Sequence, residues 1–223
     1  MFIGHFAVGM AAKRVSPRTS LGTLFAAAQF LDLLWPVLVL LGVEKARIDP
    51  GNTAMTPIDF ESYPWSHSLL LSVVWAVAFG LVYRARTGNV RGAWTVGALV
   101  LSHWVLDFVT HRPDLALAPG GPKVGLGLWN SVPATLIVEG ALYAAGVFLY
   151  ATGTRARNRT GRIAFWALVV VLAALYVANL SPPPPSVQIV AASGVLMWLF
   201  IAWAAWIDRN REPVTPATGA SGP

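Results

Sequence analysis

The stretch GAWTVGALVLSHWVLDFVT, residues 92–110, holds only two ionisable side chains, His103 and Asp107, four positions apart. It is long enough, at about 20 residues, to cross the hydrocarbon core of a bilayer as a helix. Comparable apolar runs occupy 21–43, 67–83, 127–150, 163–180 and 187–207. Residues 1–12 are apolar but too short to span. They carry no positive start, so they do not read as a cleaved signal peptide but as a half-inserted or interfacial helix. The chain therefore reads as all-α: a polytopic transmembrane helix bundle of about six spans plus a short N-terminal half-inserted helix.

Composition agrees. Over 223 residues, 56% are hydrophobic, 12% are charged, and the mean hydropathy is +0.60. A soluble domain carries roughly 25% charged residues, so this chain could not cover a water-facing surface. The formal charge of +6 does not indicate nucleic acid, because the basic residues sit in short clusters between apolar runs. Those clusters fall in 13–18, 84–91 and 155–162, while 44–66 mixes signs and 181–186 is uncharged. The positive-inside rule then places the basic loops and the C-terminus in the cytoplasm, with 44–66 and 111–126 outside. The proline run 182–185 predicts a stiff outer connector. The expected organisation is one membrane domain over 1–210, with a site-bearing core in 1–150 and two scaffold helices in 163–207. A tail over 211–223, rich in Pro, Thr, Gly, Ala and Ser, is expected to be disordered. No internal repeat is visible, which weighs against inverted-repeat transporters.

The chain has no cysteine, so any metal must be held by nitrogen and oxygen ligands. Ionisable groups inside a bilayer are costly unless paired and commonly mark function. Here they are Asp32, His103, Asp107 and Glu139, with His5, His67 and His111 in or beside the apolar runs. His103, Asp107 and His111 are spaced i, i+4, i+8 and drift by only about 80°, so they share a helix face. A histidine and an aspartate one turn apart can hold one metal ion, or can simply lock two helices together by a hydrogen bond. Pro36 cannot donate to the carbonyl of Asp32, which predicts a kink there, against protein or a wet cavity. Ser131, Thr135 and Glu139 form a polar stripe suited either to helix–helix hydrogen bonding or to a general base. Ser66 can cap the second span beside His67. Together, the neutral imidazoles and carboxylates suit zinc, manganese or iron, and are numerous enough for two ions.

The order Gly4-His5, Leu31-Asp32, Ser66-His67-Ser68-Leu69, Ser102-His103, Asp107 and Thr110-His111 resembles a family of small bacterial inner-membrane proteins. These are the LexA-regulated, YdjM-like membrane-bound metal-dependent hydrolases. The resemblance covers about the first 140 residues. It implies a plasma-membrane location and a metal site from His5, Asp32, His67, His103 and Asp107. Relatives often carry a Pro-Asp-Ile-Asp-like segment, where this chain has Phe30-Leu31-Asp32-Leu33-Leu34 with one acid. They also carry a second histidine before the one matching His67, where this chain has Tyr63-Pro64-Trp65-Ser66. A single-metal or inactive site is therefore an open alternative.

The expected activity is metal-dependent hydrolysis of a lipid-linked or membrane-proximal phosphoester, with zinc the leading cofactor. Glu139 or His111 would orient or deprotonate water, and Arg112 and Lys123 would bind phosphate. The partners are the lipid bilayer and a phosphoester substrate, with no nucleic acid. The alternatives are a proton- or cation-coupled transporter using the intramembrane acids, and a structural membrane protein with a degenerate site.

Overall fold

The structure, a computed structural model, describes residues 1–180 and 182–214. Helix α1 (Ile3–Val15) leads to α2 (Leu21–Ala28) and α3 (Phe30–Leu40), then to a hairpin of β1 (Lys45–Ile48) and β2 (Ile58–Ser62). One turn of helix, α4 (Pro64–His67), precedes the long helices α5 (Leu69–Thr87) and α6 (Val90–Thr110). A short ladder of β3 (Leu115–Ala116) and β4 (Lys123–Val124) leads to α7 (Val132–Gly153). Then follow β5 (Thr154–Ala156), α8 (Arg159–Ala178), α9 (Val187–Val195), α10 (Trp198–Arg209) and β6 (Arg211–Pro213). Among the described residues, five helices are long and apolar enough to cross a membrane, taking α9 and α10 together, or six if α2 and α3 form one bent span. The molecule is an all-α helical bundle compatible with a multi-pass membrane protein.

Local chemistry sets the helix ends. Ser20, Ser68, Asn89, Ser131, Asn158 and Ser186 each accept a backbone N–H with the side chain at a helix start. Each thereby satisfies one of the donors a helix leaves unpaired. Gly88 ends α5 at φ +68°, a left-handed conformation that favours glycine. The α5–α6 hairpin packs closely because Gly80 faces the carbonyl of Ala93 and Gly97 faces that of Ala76. Small residues of this kind let helix backbones approach without a clash.

Helix α1, for which a half-inserted or interfacial placement was expected, packs within the bundle. Nine of its thirteen residues are buried, among them Phe6 and Met10. It lies between α7, α2 and α6. A Cβ on Gly146 of α7 would come within 2.6 Å of the Ala7 Cα, so glycine is required for this contact.

The kink is not where Pro36 predicts it. Helix α3 continues through Pro36, and the chain instead bends by 57° between α2 and α3. Gln29 at the break has φ −100° and ψ 5°. The carbonyl of Ala28 accepts a hydrogen bond from His103 Nδ1 at 2.8 Å. A side chain inserted into the helical ladder is a recognised cause of a sharp bend.

The two ends of the bundle differ in charge. Lys13 pairs with Asp208 at 2.7 Å, Thr19 meets Tyr83 at 2.9 Å, and the Arg157 N–H donates to Asn210 at 2.9 Å. These bonds gather the basic loops at one end. Of sixteen basic residues, only Lys45, Arg47, Arg112 and Lys123 lie at the other. At the basic end β6 pairs with β5, and Arg211 is buried against the rings of Tyr150 and Phe165. Residues 211–213, expected at the start of the disordered tail, thus form a strand. Residues 215–223 lie outside the described residues.

Replacing Gly146 with leucine is expected to destabilise the protein by about 1–3 kcal/mol or more, as overpacking does. Gly140→Ala, where a Cβ meets nothing within 4 Å, should be nearly neutral. Thermal unfolding in detergent checks both, and equal melting of Gly146→Leu and wild type would overturn the close α1–α7 contact.

Candidate metal centre

Three elements bring four donors together. Helix α6 supplies His103 and Asp107, one turn apart and 3.2 Å from each other. The bend before α3 brings Asp32 into its first turn, where a carboxylate is favoured by the helix dipole. His67 comes not from a span but from the one-turn α4.

His67 Nε2 is 3.5 Å from Asp32 Oδ1 and 3.6 Å from Asp107 Oδ2. His103 Nε2 is 3.6 Å from Asp32 Oδ1 and 3.2 Å from Asp107 Oδ2. A tetrahedral ion with bonds of about 2.0–2.2 Å needs donors about 3.3–3.6 Å apart. These four contacts fall near that spacing but close a ring, and the donors that are all mutually near are those of Asp32, His67 and His103.

The ring nitrogens are oriented for the task. His103 Nδ1 faces the carbonyl of Ala28, which can only accept, so Nδ1 carries a proton and Nε2 keeps its lone pair when the ring is neutral. Nε2 is buried and has no hydrogen-bond partner among the described residues. His67 Nδ1 lies 2.7 Å from Ser66 Oγ, and Ser66 donates its one hydroxyl proton to Glu44 at 2.7 Å. Ser66 Oγ must then accept from His67, which leaves His67 Nε2 free to ligate. Outer groups of this kind fix the tautomer and orientation of metal-binding histidines. Buried Asp107 and half-buried Asp32 carry a charge that suits a divalent cation, and an orphaned buried nitrogen needs a partner. Asp32, His67 and His103 can offer three donors to a divalent ion such as zinc.

His5 extends the cluster. Its Nε2 is 3.1 Å from Asp107 Oδ1, and its ring stacks on His103 with centroids 3.6 Å apart. Asp107 thus turns one oxygen toward His5 and the other toward the four-atom group. His5, His103 and Asp107 form a second donor group overlapping the first. The Met1 nitrogen also reaches Asp107 Oδ1, at 2.5 Å.

The other expected site residues are more dispersed. Glu139 accepts from the backbone N–H groups of Phe2 at 2.9 Å and Gly4 at 3.4 Å, so it caps α1, and it lines the cavity beside Asp107. His111 does not continue the helix face of His103 and Asp107. It caps α6 in extended conformation, packs on Trp129 and bonds Asp114 through Nδ1 at 2.9 Å. Its ring still lines the cavity. Arg112 is committed to Asp59 and Asp114, and Lys123 donates to the Glu61 carbonyl at 3.2 Å. Neither lines the cavity. Glu44, Ser66 and Asp114 were missed as participants. Glu44 is nearly fully buried although it lies in a charged outer loop, and only its position just after a span could have singled it out.

Asp114, the partner of His111, is held below the usual carboxylate range. Burial alone would raise it, but hydrogen bonds from His111 and Tyr63 and the charge of Arg112 outweigh that. A carboxyl depressed on folding stabilises the protein above its unfolded pKa and loses that contribution as pH falls through the folded value. The melting gap between wild type and Asp114→Asn is therefore expected to be full above roughly pH 5 and to shrink below about pH 4. A gap that stays constant into acid would contradict these contacts. Ser66→Ala and Glu44→Gln are each expected to weaken metal binding by about 10–100-fold without unfolding the protein. Zinc titration calorimetry checks this, and unchanged affinity in both would remove the Glu44–Ser66–His67 relay. Compared with known families, characterised proteins and solved structures, the chain gives no match.

Proposed function

We propose that the protein is a metal-dependent hydrolase acting on a lipid-linked or membrane-proximal phosphoester. The observation that carries this reading is the four-atom group of Asp32, His67, His103 and Asp107, with two tautomers set by outer hydrogen bonds. The resemblance to the YdjM-like hydrolases supports it from the sequence side. A cavity of about 510 Å³ gives the cluster access to substrate. Zinc is the first choice of ion; manganese and iron are compatible with the same donors.

When bound, the ion would polarise a phosphoryl oxygen and activate water. The chain's own groups then divide the remaining work. In hydrolysis a water oxygen bonds to phosphorus, the bond to the leaving oxygen breaks, and one proton moves from the water to that oxygen. His111, with Nδ1 held by Asp114, is placed at the cavity wall to carry this proton on Nε2. Glu139 holds the start of α1, and with it His5, beside Asp107.

A proton or cation relay is less well supported. Between the cluster and the basic end the bundle is filled by Leu24, Phe25, Val96, Leu99 and Val100, all buried. The charge asymmetry supports a plasma-membrane orientation with the basic end and the C-terminus cytoplasmic, so that the cavity opens outward.

Detergent-purified protein is expected to hold stoichiometric zinc, manganese or iron, lost in His103→Ala/Asp107→Ala. Elemental analysis tests this, and absence of metal from the wild type after reconstitution would overturn the hydrolase reading. Because the chain lacks cysteine, single introduced cysteines report sidedness cleanly. Asp49→Cys should react with an impermeant maleimide from outside, and Arg157→Cys only after permeabilisation. The reverse pattern would invert the orientation.

A further inference from the structure

The cavity at the metal centre has a second half. Beyond Asp32, His67, Asp107 and Glu139 it runs along α8, α9 and the start of α10. These were expected to be scaffold. Their lining side chains include Leu175, Tyr176, Ile189, Val190, Met197 and Phe200, and none of those they contribute is charged.

The helices are arranged to keep this space open. Helix α10 packs against α8, but α9 leans on α3 rather than on α8. The chain breaks between α9 and α10 at Leu196 and Met197. Gly194 makes the lean possible, since a Cβ there would lie 2.7 Å from Pro36 Cγ. Leu175 and Ile189, on the two sides of the cleft, are 41% and 51% exposed, so its apolar walls reach the surface of the molecule. In a bilayer the molecules at that opening are lipids.

We infer that the cleft between α8 and α9 holds the hydrocarbon chain of a membrane lipid whose phosphoester head reaches the metal centre. Placing the head at the metal rests on the hydrolase reading; the chain-binding half rests on the cleft alone. A water-soluble phosphoester would leave the apolar wall uncovered, whereas a chain of contiguous methylenes covers it, each worth a similar increment of burial. A cavity of about 510 Å³ lies within the range of ligand sites, roughly 300–1,000 Å³.

The test uses the full chain in lipid nanodiscs containing phosphatidic acid with a diazirine near the end of one acyl chain. Cross-links are expected in peptides that include Leu175 and Tyr176 and in those spanning Val190 to Phe200. Val190→Trp and Ser193→Trp, which fill the cleft from partly or fully exposed positions, should each lower that labelling roughly tenfold, as losing a few buried methylenes does. Both variants should melt in detergent near the wild-type temperature, showing that they fold. Labelling spread evenly over exposed Ile137, Val170 and Leu81, and unchanged by either tryptophan, would overturn the proposal. The same labelling, set beside a hydrolysis assay of the wild type, separates the two readings. Cleft labelling that persists without any phosphoester hydrolysis by the wild type upholds the chain site and removes the hydrolase. Equal hydrolysis of short- and long-chain phosphatidic acid with an unlabelled cleft does the reverse.

Discussion

The hydrogen bond from His103 Nδ1 to the carbonyl of Ala28 holds together more of this structure than its single contact suggests. A carbonyl inside a helix normally accepts from the residue four positions on. Here it accepts from another helix, and the chain between α2 and α3 bends at that point. The bend carries Asp32 to the start of a new helix and turns it toward α6. The same bond places the His103 proton on Nδ1 and leaves Nε2 facing Asp32 and Asp107. One interaction thus shapes the backbone, sets a tautomer and brings a carboxylate within reach of the ring.

This explains what sequence could and could not disclose. The spans were legible because apolar runs of that length have few other uses. His103 and Asp107 were legible because both sit on one helix, where spacing alone fixes proximity. Asp32 was legible as an expensive group in an apolar run, but its surroundings were not. Pro36 is the obvious suspect for a kink, yet the proline is accommodated within α3 and packs beside Gly194. The bend belongs to a tertiary contact seventy-five residues apart, which no local rule reveals.

The misreading of His111 has a similar origin. Its i+8 spacing assumes that the helix continues, but α6 stops at Thr110, and the histidine turns to Asp114, Tyr63 and Trp129. Glu44 was hidden for another reason. Charges in an outer loop ordinarily face water, whereas this one is buried by the segment that folds back over it, and it holds both the backbone and the hydroxyl of Ser66. Helix periodicity finds donors within an element. The groups that orient those donors come from loops, where sequence has no comparable ruler.

The position of α1 bears on how the protein is made. At thirteen residues it is too short to cross the bilayer alone, and its apolar sides are covered by helices that follow it in the chain. Its cap, Glu139, lies 135 residues downstream of Gly4. During synthesis the first segment must therefore wait for the span containing Gly146 and Glu139 to leave the insertion machinery. His5 joins the other donors only then, so the centre matures late, after most of the polypeptide is already in the membrane.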